Sequence, residues 1–142
     1  MNYRDAKHSD LTVIKELLRT NRLPSDDCEA HLSNFILAED VDEIIGIGGL
    51  ETYDNVGLIR SFVVEPKHRR SGIGKTIFLL IQEKALNLGV NVLFLLTETA
   101  EKYFSNFGFS VIPRNQVPNS IKETKQFKDL CPSSAKVMFR EL

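Results

Sequence analysis

The chain has 142 residues, of which 42% are hydrophobic and 26% charged, with a formal net charge of −1. That length suits one domain, residues 1–142, around one core, and the balanced charge excludes the basic excess that marks binders of nucleic acid or anionic membranes. No apolar run approaches the roughly 20 residues that span a bilayer, and the polar start from Met1 to Asp10 holds no stretch of the signal-peptide kind, so the expected location is cytoplasmic.

Taken in chain order, Ser9 and Asp10 precede the spaced apolar residues Leu11, Ile14, Leu17 and Leu18 and are expected to cap a first helix. Pro24-Ser25-Asp26 breaks the chain, and a short second helix is expected toward Leu32. Phe35–Ala38, Glu43–Leu50 and Leu58–Val64 read as strands. The turns between them, Asp40–Asp42 and Asp54–Gly57, are short, so the three should form an antiparallel meander.

Pro66 ends the third strand, and a long helix comes next with Ile73, Ile77, Leu80, Ile81 and Leu88 on one face and Gly89 after its end. Val92–Leu96 is apolar throughout, as in a strand covered on both faces, and the helix before it implies a parallel pairing with the third strand. A shorter helix from about Ala100 to Phe107, a strand at Phe109–Ile112, irregular chain marked by Pro113, Pro118 and Pro132, and a last strand within Ala135–Arg140 complete the order. The class is α+β, a mixed sheet with helices on its faces. Cys28 and Cys131 form no CxxC pair and are expected to be free, and His8, His31 and His68 lack zinc-ligand spacing, so no metal is expected.

Chemistry concentrates between the third strand and the long helix. Arg69, Arg70, Ser71, Gly72, Ile73, Gly74 and Lys75 place glycines and cations where the first N–H groups of a helix have no internal partner, which is an anion site suited to a diphosphate. The plainer alternative is an ordinary helix start with solvated charges. Gly72-Ile73-Gly74-Lys75-Thr76 also ends like a nucleotide-binding P-loop, but Arg69 stands where that loop needs its first glycine.

The run from Val63 to Gly74, with Arg69, Gly72 and Gly74 meeting an Arg-x-x-Gly-x-Gly pattern, resembles the acetyl-CoA motif of the GCN5-related N-acetyltransferase (GNAT) family. Ala100–Phe109 resembles the next helix and Gly-Phe turn of that family. Leu96-Thr97-Glu98-Thr99, Tyr103-Phe104 and the tail through Leu130-Cys131-Pro132 and Ser134-Ala135 are similar to the acetyltransferase domain of N-acetylglutamate synthase and to acetyltransferases of arsenic-resistance operons. The resemblance implies the GNAT fold, an antiparallel N-terminal meander with one parallel pair at the cofactor cleft, and acetyl transfer to a small amino-acid-like amine. It implies acetyl-CoA as cosubstrate and admits a homodimer; no nucleic-acid or membrane partner is implied.

By the same resemblance, Phe62, Val63 and Val64 line the thioester, with the Val64 backbone N–H as oxyanion donor. The family's usual glutamate base falls on Leu58 here, leaving Glu98 and Glu51 as candidate carboxylates near strand ends. The family's tyrosine acid falls on Phe104; Tyr103, the remaining candidate acid, is one residue earlier, a turn of about 100° around a helix. Strand alternation puts Arg60, Phe62 and Val64 on one face, so Arg60 is a candidate carboxylate clamp, with Thr97 and Thr99 as further substrate contacts. The alternative for Arg60 is a guanidinium in water at a strand edge. Two other functions stay open, a non-catalytic acyl-CoA-binding module and a protein or peptide acetyltransferase.

Overall fold

The computed structural model describes residues 1–130 and 133–142; Cys131 and Pro132 lie outside the described residues. One seven-stranded sheet runs through the chain in the order β1-β2-β3-β4-β5-β7-β6. Its members are β1 (Asn2–Asp5), β2 (Phe35–Asp40), β3 (Glu43–Tyr53), β4 (Val56–Val64), β5 (Val92–Thr97), β6 (Ser110–Ile112) and β7 (Lys136–Glu141). The helices are α1 (Leu11–Thr20), α2 (Ile73–Asn87), α3 (Glu101–Ser105) and α4 (Asn119–Lys122). The antiparallel meander of β2, β3 and β4 and the parallel β4–β5 pair agree with the sequence expectation.

Several elements differ from that expectation for local reasons. β1 is a polar edge strand, antiparallel to β2, and its half-exposed side chains carry no alternating apolar signal. The second helix is a 3₁₀ segment, Cys28–Asn34, rather than an α-helix. Asp10 is the residue before α1, but its carboxylate does not cap that helix. It accepts instead from the Lys7 N–H at 2.7 Å and from both terminal nitrogens of Arg4 at 2.8 and 2.9 Å, tying β1 to the start of α1. Leu88 is half exposed just after the end of α2 at Asn87, not on its buried face.

α2 lies across one face of the sheet, with Ile73, Ile77, Phe78, Ile81 and Ala85 buried. It sits close because β3 offers glycines beneath it. A Cβ on Gly48 would stand 2.6 Å from both Ile77 and Ile81, an overpacking of the kind that costs about 1–3 kcal/mol. α1 and the 3₁₀ segment cover the opposite face through Ile14, Leu18, Cys28 and Leu32 against Phe35, Leu37, Ile47 and Val63. Farther along that face Val117 and Ile121 pack on Leu58, Phe94 and Val137.

Two irregularities in β4 shape the sheet around its centre. The pairing of β3 with β4 jumps between Ile47↔Val63 and Gly49↔Arg60, so Ser61 and Phe62 together oppose Gly48. Ser61 takes a left-handed φ of 54°, which costs a non-glycine residue on the order of 1 kcal/mol. The parallel pairing of β4 with β5 is confined to Val56↔Val92, Gly57↔Leu93 and Leu58↔Phe94. Beyond Leu58 the two strands part, and β5 keeps its other edge paired to β7.

Candidate active site

The parting of β4 from β5 opens a cavity of about 1220 Å³ that runs from the start of α2 to the turn after α1. At the α2 end the chain turns through Arg70 (φ 67°) and Gly72 (φ 84°), both left-handed. A Cβ on Gly72 would meet nothing within 4 Å, so glycine is needed there for the backbone angle and for open approach, not for packing. The first intrahelical bond of α2 is from Thr76 N–H to Gly72 O at 3.1 Å. The N–H groups of Ile73, Gly74 and Lys75 precede it and carry the positive end of the helix. Arg69, Arg70 and Lys75 are exposed around them. Ser71 donates to His68 O at 2.6 Å and braces the turn.

Glu65 N–H donates to Ile45 O at 2.8 Å. Successive N–H groups of an extended strand face opposite edges, so the Val64 N–H is turned to the cleft edge of β4. The Val64 carbonyl accepts from Arg69 Nε at 2.9 Å, which locks the basic turn to the strand.

Phe62 packs edge-on against Phe104, with ring centroids 5.4 Å apart, and tilts against Tyr103 at 6.3 Å. The Tyr103 hydroxyl reaches the first turn of α2, where a Cβ on Gly74 would overlap it. Burial raises the Tyr103 phenol above its ordinary value, against a smaller opposing effect of Arg69.

At the other end of the cleft, Thr97 Oγ1 accepts from Ala100 N–H at 2.9 Å and starts α3. Glu98 is exposed and accepts from Ser134 Oγ at 3.3 Å, and Thr99 is exposed. All three line the cavity with Arg60, Phe62, Val63 and Val64.

The bulge at Ser61 corrects the expected strand alternation. Arg60 points to the α1 face and Phe62 to the α2 face, because the extra residue shifts the phase by one. Nor is the Arg60 head in water: its side chain is fully buried. Nη1 lies 2.8 Å from Glu51 Oε2 and 2.8 Å from Asp27 Oδ1, Nε donates to Ser61 Oγ at 3.1 Å, and Nη2 donates to Asp26 O at 3.3 Å. Glu51, expected near a strand end, is buried within a longer β3 and also accepts from the Tyr53 hydroxyl. Burial, then the Glu51 carboxylate, push the Tyr53 phenol well above its usual range.

Glu51 is the cross-strand partner of Leu58, so a carboxylate stands beside the position where a glutamate base was sought, already neutralised by Arg60. Asp27, His31 and Glu51 offer ligand atoms within 4.8 Å of one another, a grouping that histidine spacing did not reveal. The guanidinium between two of them supplies the positive charge that a cation would bring.

Sequence reasoning missed the far wall, formed by Asn21–Pro24, Asp26, Gln126 and Asp129. Arg22 there has φ 60° and, among the described residues, makes no ion pair or side-chain hydrogen bond. The doubled acid at Asp26-Asp27 after a proline was the available signal.

The profile of the Acetyltransferase (GNAT) family matches residues 5–109, which include the basic turn and both strands that form the cleft. The chain belongs to the GNAT acetyltransferase family. Among relatives of this GNAT chain, an amino-acid acetyltransferase of Neisseria meningitidis is 27% identical over 94 residues, 65% of this chain and 22% of that protein. One from Photorhabdus laumondii is 28% identical over 124 residues, 81% of this chain and 28% of that protein. The chain thus spans about a quarter of the length of these relatives.

Among solved structures, N-acetylglutamate synthase from Neisseria gonorrhoeae, complexed with coenzyme A and L-arginine, superposes with a TM-score of 0.84 at 24% identity, covering 99% of this chain and 33% of that one. Rv2747 from Mycobacterium tuberculosis, in complex with CoA and NLQ, gives 0.83 at 23% identity over 100% and 99% of the two chains. These likenesses show the GNAT fold. No helix among the described residues is long and apolar enough to cross a membrane.

Proposed function

We propose that this GNAT chain transfers acetyl from acetyl-CoA to the amine of a small amino-acid-like molecule by direct attack on the thioester. The observation that carries the reading is the parting of β4 from β5 beyond Leu58, with the α2 amides at one end of the gap and the Val64 N–H on its edge. In this reading the diphosphate rests on the N–H groups of Ile73, Gly74 and Lys75, with Arg69 and Arg70 beside it. The pantetheine arm extends the broken sheet between β4 and β5. The acetyl oxygen points at the Val64 N–H, which stabilises the charge that develops there during attack.

The amine nitrogen forms its bond to the carbonyl carbon as the carbon–sulfur bond breaks, and the amine loses a proton. An α-amine titrates near pH 8, so about a tenth is already neutral at pH 7. Glu98 is an exposed carboxylate on the cleft, and Glu51 is committed to Arg60. The leaving thiol, of pKa about 8.5, departs as thiolate or with the amine proton. Arg22, rather than Arg60, is the guanidinium on the acceptor wall free to meet a carboxylate.

The test is thiol release from acetyl-CoA with acidic and neutral amino acids, glutamate analogues, polyamines and short peptides. Turnover is expected with a carboxylate-bearing amino acid, and Arg22→Ala should raise its KM about tenfold, the loss of one charged contact. Turnover confined to polyamines or peptides would refute the substrate class. Tight acetyl-CoA binding without turnover would establish the acyl-CoA-binding module, a reading favoured by Leu58 and Phe104 at the usual base and acid positions.

A further inference from the structure

The bulged part of β4 and the turn from Arg22 to Asp26 line the acceptor side of the cleft, and the end of β3 pairs with β4 beside them. All three meet on one side chain. Arg60 Nη1 holds Glu51 of β3 and Asp27 just after the turn, Nη2 holds the Asp26 carbonyl, and Nε holds the hydroxyl of Ser61, the residue whose left-handed backbone makes the bulge. The Phe35 ring lies under the guanidinium with its centroid 5.8 Å away, and Gly49 leaves the space that the ring fills. A planar fork with donors in fixed directions bonds Glu51, the Asp26 carbonyl and Ser61 while pairing its charge with Asp27; an ammonium cannot.

The bulge decides the phase of the rest of β4. With the extra residue, Phe62 and Val64 join the α2 face and the Val64 N–H reaches the cleft edge; a regular strand would turn both residues over.

We infer that Arg60 is a positioning residue: through Ser61, Glu51 and Asp27 it fixes the β4 bulge and the acceptor wall, and so aims the Val64 N–H into the cleft without touching the acceptor. The kinetic part of this inference rests on the acetyl-transfer reading, whereas the structural part does not.

The experiment compares Arg60→Lys with the unaltered protein in two measurements. The first is amide hydrogen exchange, which needs no activity. Residues 61–64 and 22–27 are expected to exchange faster in the variant while α2 stays protected. The second is steady-state turnover. A misaimed donor is expected to lower kcat about 100-fold with little change in the KM for acetyl-CoA, since the basic turn is intact.

A variant whose kcat is kept while the KM for the amine alone rises would overturn the inference, because it would make Arg60 a direct substrate contact. Unchanged exchange in both segments would overturn it as well. Ser61→Ala removes only the Nε contact and serves if Arg60→Lys does not fold. It should loosen residues 61–64 alone, and unchanged exchange there would count against the inference. If the unaltered protein turns over no amine, the acetyl-transfer reading fails while the exchange measurement still decides the positioning role.

Discussion

Tyr103 shows how one residue of offset redistributes roles. Phe104 takes the buried place against Phe62 and Phe109, and Tyr103 is left half in solvent with its hydroxyl against the first turn of α2. That location is the basic-turn end of the cleft, not the edge that carries the Val64 N–H. A tyrosine delivering the proton to the thiolate would be worth about 100-fold or more in kcat. Tyr103→Phe is expected to lose far less, with its effect on the KM for acetyl-CoA. Because burial lifts the phenol above its ordinary value near 10, its ionisation should add no alkaline limb to kcat below about pH 10. A pH–rate profile of both proteins checks this, and a limb lost on substitution would restore Tyr103 as the acid. The aromatic pair was legible in the sequence as a departure from the family pattern. Which ring faces the cleft was not, since it depends on where α3 begins.

At the scale of elements, the sequence displays what repeats and hides what interrupts. The meander, α2 and the apolar β5 are legible from periodicity and turn residues, and the anion site from glycines set between strand and helix. The bulge at Ser61 left no trace in the pattern of Leu58 to Val64, because a single extra residue in an apolar run reads as more strand. Arg60 was therefore assigned to the wrong face, and the buried network with Glu51 and Asp27 went unseen. β1 was hidden for another reason: its stability comes from charge pairing rather than from apolar alternation. The Arg4 guanidinium, bridging Asp10 and Glu39, holds the Asp10 carboxyl below its ordinary value of 3.8, with a further bond from the Lys7 N–H. A depressed carboxyl stabilises the fold above its unfolded pKa and loses that contribution as pH falls through the folded one. Asp10→Asn should thus cost about 1–3 kcal/mol near pH 6, and the gap to the unaltered protein should narrow below about pH 4. Urea unfolding at both pH values measures it, and a gap independent of pH would show that ionisation is not involved.

Across the whole molecule, a net charge of −1 conceals a division of labour. Arg69, Arg70 and Lys75 gather at one end of the cleft, while Asp26, Glu98 and Asp129 rim the other. Exposed charges are screened over about 8 Å at physiological ionic strength. Raising salt should therefore weaken acetyl-CoA binding markedly while barely moving the unfolding midpoint, because the Arg60 network is sealed from solvent. Calorimetric titration and thermal melts at low and high salt separate the two. The strand order has its own consequence in time. β5, one wall of the cleft, is held on its far edge by β7, and among the described residues β6 joins the sheet through β7. On the ribosome the first four strands can assemble as soon as they emerge, but the second wall has just its short pairing with β4 until Lys136–Glu141 arrives and slides between β5 and β6. The nascent chain therefore completes the second wall of its cleft late and in one step, and stalling before that strand would leave an open sheet edge for chaperones to guard.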